Sequence, residues 1–329
     1  LYTPEEAGLV QHLNMPMDFT STEQLAEITR KNINDTAAIL DRLHKKNALI
    51  GMGNLYCLPP IPMLINVHQF YSDTKPDDIE AARLQRAFFI NHGYYRYYEA
   101  SEKGTPVFRA IPVEEAISDD QQVLSSEEAH EFIMNLKTED LALVPCPCRT
   151  RMEKLGIREC KDKYPIGSCI MLGMSALHFE SLGLGKRVTK EQAIAYFDEM
   201  NKLGLVGQTD NAKSGNSVIC LCCECCCSQV RGRTRWDNPD AIEPSNFVPR
   251  ASEDCIMCGT CVDRCFFGAL SIDETAERAV ADPDKCIGCG VCTLACEQAA
   301  LKLNRLERAH IFEKTGAMLK TIDQENYKF

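Results

Sequence analysis

Cys255-Ile256-Met257-Cys258-Gly259-Thr260-Cys261-Val262-Asp263-Arg264-Cys265 and Cys286-Ile287-Gly288-Cys289-Gly290-Val291-Cys292-Thr293-Leu294-Ala295-Cys296 decide how this chain reads. Each cysteine of the first run meets its counterpart 31 residues later, so the two stretches are an internal repeat. The spacing, three cysteines two residues apart and a fourth after three more, is that of bacterial two-cluster [4Fe–4S] binding. In that arrangement three thiolates of one run and the last thiolate of the other hold each cube. The crossed rule assigns Cys255, Cys258, Cys261 and Cys296 to one cluster, and Cys286, Cys289, Cys292 and Cys265 to the other. Such a pair accepts and passes single electrons. Gly259, Gly288 and Gly290 let the backbone wrap closely round each cube, and Ile256, Val262, Leu270, Ile287, Val291 and Leu301 keep water away. Ala269–Ile272 and Ala300–Leu303 read as short matching strands.

Ten further cysteines fall between residues 146 and 227. Cys146-Pro147-Cys148-Arg149 is followed by Cys160 and Cys169. Cys220-Leu221-Cys222-Cys223-Glu224-Cys225-Cys226-Cys227 then packs six thiols into eight positions. A structural zinc site takes four thiolates, typically from two CxxC knuckles. Cys220/Cys223 and Cys222/Cys225 have that spacing locally, but no pair of knuckles spans the region. Ten thiols beside an electron-transfer repeat favour one or two additional iron–sulfur clusters over zinc, with the ligand subset open. Adjacent side chains diverge, so Cys222/Cys223 and Cys225/Cys226/Cys227 are expected to divide between two centres or to leave a free thiol. Arg149, Arg151, Arg231, Arg233 and Arg235 flank the region. They read as cations beside an anionic cluster, as an anion site, or as solvated surface charge. Cys227 to Arg233 reads as a loop beside the site.

These motifs resemble a group of bacterial and archaeal ferredoxin-like proteins of anaerobes. In them a CxCR…C…C segment, a GLV helix end and a cysteine-dense ICxCCxCCC segment precede a two-cluster ferredoxin domain. The matching residues here are Cys146, Cys148, Arg149, Cys160 and Cys169, then Gly204-Leu205-Val206, then Ile219 to Cys227. The resemblance covers about residues 140 to 300 and implies iron–sulfur cofactors rather than a particular reaction. Leu221 and Glu224 replace the usual Asn and Gly, and Phe266 and Glu297 replace a proline that often follows each ferredoxin run. None of these replaced residues is a ligand.

Upstream, capping boxes at Thr3-Pro4-Glu5-Glu6 and Ser21-Thr22-Glu23-Gln24 predict helix starts. A second helix is expected over Asn32–Lys46, with Ile33, Ala37, Leu40 and Leu43 on one face. Ala48-Leu49-Ile50, a Gly51–Asn54 turn and Leu55-Tyr56-Cys57 suggest a two-stranded wing. The segment resembles a winged helix-turn-helix. Lys31, Arg42, Lys45 and Lys46 are diluted by Asp35 and Asp41, so docking is preferred to DNA binding. The aromatic run Phe88–Tyr98 reads as inter-domain packing, Ser125-Ser126-Glu127-Glu128 as a helix cap, and the seven histidines as core or surface groups. Thr189-Lys190-Glu191-Gln192 opens another helix.

The expected fold class is α+β and multidomain. A winged-helix-like domain would occupy 1–70, a helical connecting region 71–143, a cysteine-rich cluster region 144–236, a two-cluster ferredoxin domain 237–304 and a tail 305–329. Hydrophobic content of 45% and charged content of 25% fit a globular chain with real cores. A net charge of −11 disfavours a general nucleic-acid or anionic-membrane binder. The longest apolar run, Cys169 to Leu177, is too short to span a membrane. With no signal peptide and thiols in ligand spacing, a reducing cytoplasm and an anaerobic or microaerobic host are expected. No dinucleotide fingerprint, P-loop or Ser/His/Asp set is present. The leading function is one-electron transfer with a redox partner such as a flavoprotein or another oxidoreductase subunit. The alternatives are an oxidoreductase with a substrate-accessible cluster or reactive thiols in 146–227, and a redox-sensing transcriptional regulator. Oligomeric state is left open.

Overall fold

Three reciprocal capping boxes start helices in the computed structural model, which describes residues 2–14, 18–59, 64, 66–70, 76–94, 100–101, 103–118 and 127–326. At the first, the Thr3 hydroxyl accepts from the Glu6 amide and the Glu6 carboxylate accepts from the Thr3 amide, opening α1 (Pro4–Val10). Ser21 and Gln24 do the same for α2 (Thr22–Thr29), and Asn32 caps α3 (Ile33–Lys45). Thr20–Ser21 (β1), Ile50–Met52 (β2) and Leu55–Cys57 (β3) form an antiparallel sheet of order β1-β3-β2. Leu9, Leu25, Leu40, Leu43 and Leu49 are fully buried between helices and sheet. Ile33 is exposed, because the buried face of α3 runs through Thr36, Ile39, Leu40 and Leu43.

The expected helical middle is only partly helical. Pro76–Asn91 is a helix (α4), but Phe108–Ala110 is a strand (β4) with all three residues buried. A segment buried on both faces has no polar side for a surface helix to present. A short helix follows at Ala129–Met134 (α5), capped by the Glu128 carboxylate. Tyr95–Tyr98 and Ser125–Ser126, singled out in the sequence, lie outside the described residues. Phe89 meets Trp236 with ring centroids 5.0 Å apart, which is packing between distant segments.

The central element is a six-stranded, wholly antiparallel sheet. Its strands are β4, Leu141–Pro145 (β5), Ser168–Leu172 (β6), Lys186–Val188 (β7), Val206–Asp210 (β8) and Val218–Cys222 (β9), in the order β4-β8-β9-β6-β5-β7. Alternate residues face opposite sides. One face presents Leu141, Ile170, Leu172, Ile219 and Leu221, covered by α5 and by Lys190–Leu203 (α8). The other presents Ala142, Val144, Cys169, Met171 and Val218, covered by Phe70 and by Met174–Ser181 (α7). Pro147–Lys154 (α6) leaves the end of β5, and Ser228–Arg235 (α9) leaves the turn after β9.

Residues 228–235 are therefore helical, not a loop. The amide of Arg231 donates to the Cys227 carbonyl to begin the helix. Gly232 sits inside it because a Cβ there would stand 2.5 Å from that of Ala241. The glycine marks a close packing contact rather than a turn.

The C-terminal repeat is built on two hairpin-like ladders. Phe247–Ala251 (β10) pairs with Leu301–Arg305 (β13), and Leu270–Asp273 (β11) pairs with Arg278–Ala281 (β12). The two matching strands expected from the repeat thus take different partners instead of pairing with each other. Thr260–Arg264 (α10) lies within the first run, and Thr315–Asn326 (α11) closes the described chain.

The N-terminal unit docks on α7. Asn47 Oδ1 contacts His178 Nε2 at 2.7 Å, and His44 contacts the Ser181 hydroxyl at 3.2 Å. Burial, followed by the neighbouring His44, pushes the His178 imidazole down to about 3. Its folded value lies below the unfolded one, so the unfolded chain binds the extra proton and stability falls as pH drops below about 6.5. Between pH 7.5 and 5.5 this one group removes about 1.4 kcal/mol. Anaerobic denaturant melts of the wild type and His178→Gln should show a weaker loss on acidification in the variant. Equal acid slopes would refute the assignment.

Candidate metal centres

The C-terminal repeat folds round two cavities. Cys255, Cys258, Cys261 and Cys296 line one, with Ile256, Ala251 and Leu301. Cys265, Cys286, Cys289 and Cys292 line the other, with Ile287, Val291 and Phe267. Each cavity thus gathers three thiols of one run and the last thiol of the other. The Gly288 amide donates to Cys286 Sγ at 3.3 Å, the kind of backbone contact that stabilises thiolate-bound iron. Four thiols round an apolar hollow, with an amide turned to sulfur, fit a [4Fe–4S] cube.

The two hollows differ in exposure. Cys258 is exposed and its thiol is lowered, first by the Thr260 hydroxyl. Around the inner hollow, burial pushes Cys289 up to about 12 and also raises Cys286 and Cys292. The inner thiols resist ionising unless a cation takes them up.

The ten upstream thiols are placed by the central sheet. Cys220 and Cys222, two apart on β9, share a face; Leu221 points the other way. The β6–β9 register pairs Ile170 with Ile219, so its next step sets Cys169 opposite Cys220. Cys146 ends β5 and precedes α6, on which Cys148 lies, while Cys227 precedes α9. These six gather as a ring of neighbours: Cys146 beside Cys148 and Cys169, Cys148 beside Cys227, Cys227 beside Cys222, Cys222 beside Cys220, and Cys220 beside Cys169. Cys227 Sγ also donates to Gln229 Oε1 at 2.8 Å. Low and high thiols alternate round the ring. Hydrogen bonds from ring neighbours lower Cys146 and bring Cys220 down to about 6. Cys227 is also lowered, its two ring contacts outweighing its burial. Cys148, Cys169 and Cys222 are raised as the matching donors.

The other four thiols lie apart from the ring. Cys223, Cys225 and Cys226 occupy the turn between β9 and α9, which the Cys227 amide closes on the Cys223 carbonyl. Cys160 reaches them from beyond α6. All four Sγ atoms lie within 4.8 Å of one another and all four residues are buried. The Cys160 Sγ is 3.9 Å from Cys223 and 3.8 Å from Cys226; Cys225 is 3.8 Å from Cys223 and 3.4 Å from Cys226. Hydrogen bonds from Cys160, Cys225 and Cys226 hold the Cys223 thiol far below its ordinary value. The local pairs Cys220/Cys223 and Cys222/Cys225 are each split between ring and quartet.

The arginines sort by burial. Arg149, 1% exposed, donates to the carbonyls of Ile166 and Leu221 at 2.5 and 2.8 Å. Burial alone would lower it, but the neighbouring cysteines Cys146, Cys223, Cys169 and Cys222 hold it above its ordinary value. It therefore serves both thiol groups. Arg151, also buried, donates to Asn66 Oδ1 at 2.7 Å beside Cys148. Burial and the charges of Arg235, Arg151 and Arg86 bring Arg231 down to about 10, and it stacks on Trp236 at 4.3 Å. Solvated surface charge thus does not describe Arg149, Arg151 or Arg231. Arg233 binds the carbonyls of Ile242 and Asp284, and Arg235 forms a two-bond pair with Glu159. No histidine contacts a thiol among the described residues: His130 pairs with Glu114 and Asp198, and His68 with Asp78.

One residue that the sequence marked only as the end of the GLV motif joins the centres. Val206 on β8 stands opposite Cys222 in the ladder and also lines the inner hollow of the repeat. Its place depends on strand register, which no local motif encodes.

Residues 254–300 match the family described as a 4Fe-4S dicluster domain. No curated protein and no solved structure matches the chain. The repeat is thus a ferredoxin-type [4Fe–4S] domain, and together with the buried thiol quartet it points to iron–sulfur electron transfer.

A Cβ at Gly288 would collide with the Ser245 hydroxyl and the Phe247 carbonyl, whereas a Cβ at Gly268, which lines neither hollow, would meet nothing within 4 Å. Both have positive φ, so backbone strain is common to the two. Gly288→Ala should cost about four irons and four sulfides per chain, the content of one cube, while Gly268→Ala keeps them. Iron and acid-labile sulfide analysis of anaerobic protein decides it; equal content in both variants would rule the packing argument out.

Proposed function

We propose that the chain is a multi-centre one-electron carrier serving a redox partner in anaerobic metabolism. Cys255, Cys258, Cys261 and Cys296 hold an outer cluster, and Cys286, Cys289, Cys292 and Cys265 an inner one. Bound cubes supply single-electron exchange. The observation that carries the reading is Val206, a single side chain between the inner hollow and Cys222 of the thiol ring. Ile287, Val291, Cys222 and Cys227 share one apolar cluster, so no water layer separates the domain from the ring. At the opposite end Cys258, Ile256 and Met257 are exposed, which suits exchange with a docked protein such as a flavoprotein or another oxidoreductase subunit.

The N-terminal unit, in the order helix, strand, two helices, two strands, has a winged-helix arrangement and acts as a docking module. Its cations support docking over DNA binding. Lys31 pairs with Glu5, Arg42 and Lys46 with Glu6, and Lys45 with Asp41, leaving little free charge for phosphates. Among the described residues no helix is long and apolar enough to cross a membrane.

A second reading, reduction of a small anion at the ring, is favoured by one observation. Arg151 and Arg231 stand beside ring residues with no carboxylate within ion-pair distance among the described residues. Titrating reduced protein with small oxyanions separates the two: a shifted EPR signal from the upstream centres supports it, and unchanged spectra dismiss it.

For the carrier, Cys258→Ala should halve the ferredoxin-type EPR spin count. It should also slow reduction by a low-potential flavoprotein, while dithionite still reduces the remaining centres. A full spin count, or an unchanged rate with the protein donor, would overturn the outer-to-inner route.

A further inference from the structure

The quartet and the ring differ in dimensions. Four sulfurs bound to one ion at about 2.3 Å stand about 3.8 Å apart, the edge of a tetrahedron of that radius. Four of the six separations in the quartet are 3.4, 3.8, 3.8 and 3.9 Å, and the other two are within 4.8 Å. Thiolates on a cube cannot approach so closely, because each binds a different iron on a different corner. The ferredoxin-type hollows show the contrast. Their thiols feel one another's charge, yet none hydrogen-bonds to another thiol in its hollow among the described residues. The quartet has the size of one ion.

The ring cannot be read that way. Among the described residues no three of its thiols have their sulfurs all within 4.8 Å of one another, so no four of them form a mutual tetrahedron. Six sulfur donors also exceed the four positions of one tetrahedral ion. Two such ions sharing a pair of bridging thiolates would use all six, as would a larger metal–sulfur cluster.

We propose that Cys160, Cys223, Cys225 and Cys226 bind a single tetrahedral ion, zinc or iron(II), without inorganic sulfide. Cys146, Cys148, Cys169, Cys220, Cys222 and Cys227 form a separate centre of two or more metal ions. Four thiolates round a divalent ion leave two negative charges, and Arg149, buried between quartet and ring, offsets part of that excess on both sides. The burial of the quartet excludes chelators and water from the ion. The assignment needs no particular direction or partner of electron flow.

The test is a metal and sulfide inventory of full-length protein purified anaerobically with both zinc and iron supplied. Cys225→Ser should lose one zinc or one iron per chain with acid-labile sulfide unchanged. Cys222→Ser should lose two or more metal ions yet keep that single one. Cys258→Ser, which removes an outer-cluster ligand, reports the ferredoxin-type iron and sulfide separately, so failure of the carrier reading is distinguishable. Where a serine variant does not fold, the wild type answers. X-ray absorption at the zinc edge, or Mössbauer spectra for iron, should give a mononuclear site with four sulfurs at about 2.3 Å. Joint loss of iron and sulfide from Cys225→Ser overturns the single-ion site, as does wild-type protein with neither zinc nor mononuclear iron. An unchanged metal count in Cys222→Ser overturns the ring centre.

Discussion

The arrangement depends on the alternation of side chains along β9. Cys220 and Cys222 fall on one face of the sheet, and Leu221 on the other. The strand ends at Cys222, and the turn that follows gathers Cys223, Cys225 and Cys226 before α9 begins after Cys227. Six thiols in eight positions would otherwise compete for the same space. Strand, turn and helix cap instead aim them at two places without moving any ligand far from its neighbour in sequence. A one-residue slip of β9 against β6 would exchange Leu221 for Cys220 and Cys222 and empty the ring of half its sheet ligands.

Burying so much sulfur is an electrostatic problem that the polypeptide solves only in part. Cys286, Cys289 and Cys292 in the inner hollow are pushed up by burial, and the ring thiols alternate between lowered and raised. Among the described residues, Arg149 is the cation whose charge reaches thiols of both ring and quartet. Metal ions are the natural complement of such a core, because they replace many thiol protons with a few concentrated charges. The same physics explains why Arg149 tolerates full burial. Its guanidinium is held by two carbonyls and surrounded by thiolates, whereas Arg235 at the rim needs only a partly exposed glutamate.

What was legible in the sequence is what local spacing determines. The two runs at Cys255 and Cys286 are each a loop wrapped round a hollow, so their ligand pattern is written in consecutive residues. The capping boxes at Thr3, Ser21 and Thr189 are equally local, and all three are present. That adjacent cysteines of the 222–227 run diverge was legible, but which upstream thiol goes with which was not. Cys169 meets Cys220 through a strand register, and Cys160 meets Cys223 across a gap of 63 positions. The CxxC spacing of Cys220/Cys223 and Cys222/Cys225 pointed the wrong way, since a strand turns such pairs to opposite sides. A usable signal did exist in the lone apolar Leu221 between two cysteines, the mark of a strand with one face in the core. The loop expected over Cys227 to Arg233 is instead a helix, in which Gly232 is a packing contact.

The single-ion quartet has a structural consequence for the ring. Cys223, Cys225 and Cys226 form the turn that separates Cys222 from Cys227, and both of those are ring members. An ion gripping that turn, and tying it to Cys160 beyond α6, fixes the distance between the last residue of β9 and the cap of α9. Zinc has no redox chemistry of its own, so in that role it would carry no electrons and would act as a clamp. A clamp of this kind suits a polynuclear centre, whose ligands come from two strands, a strand end, a helix and a helix cap and must hold still as charge changes. A zinc ion in the quartet and the polynuclear centre would then be parts of the same device, the first holding the geometry in which the second exchanges electrons.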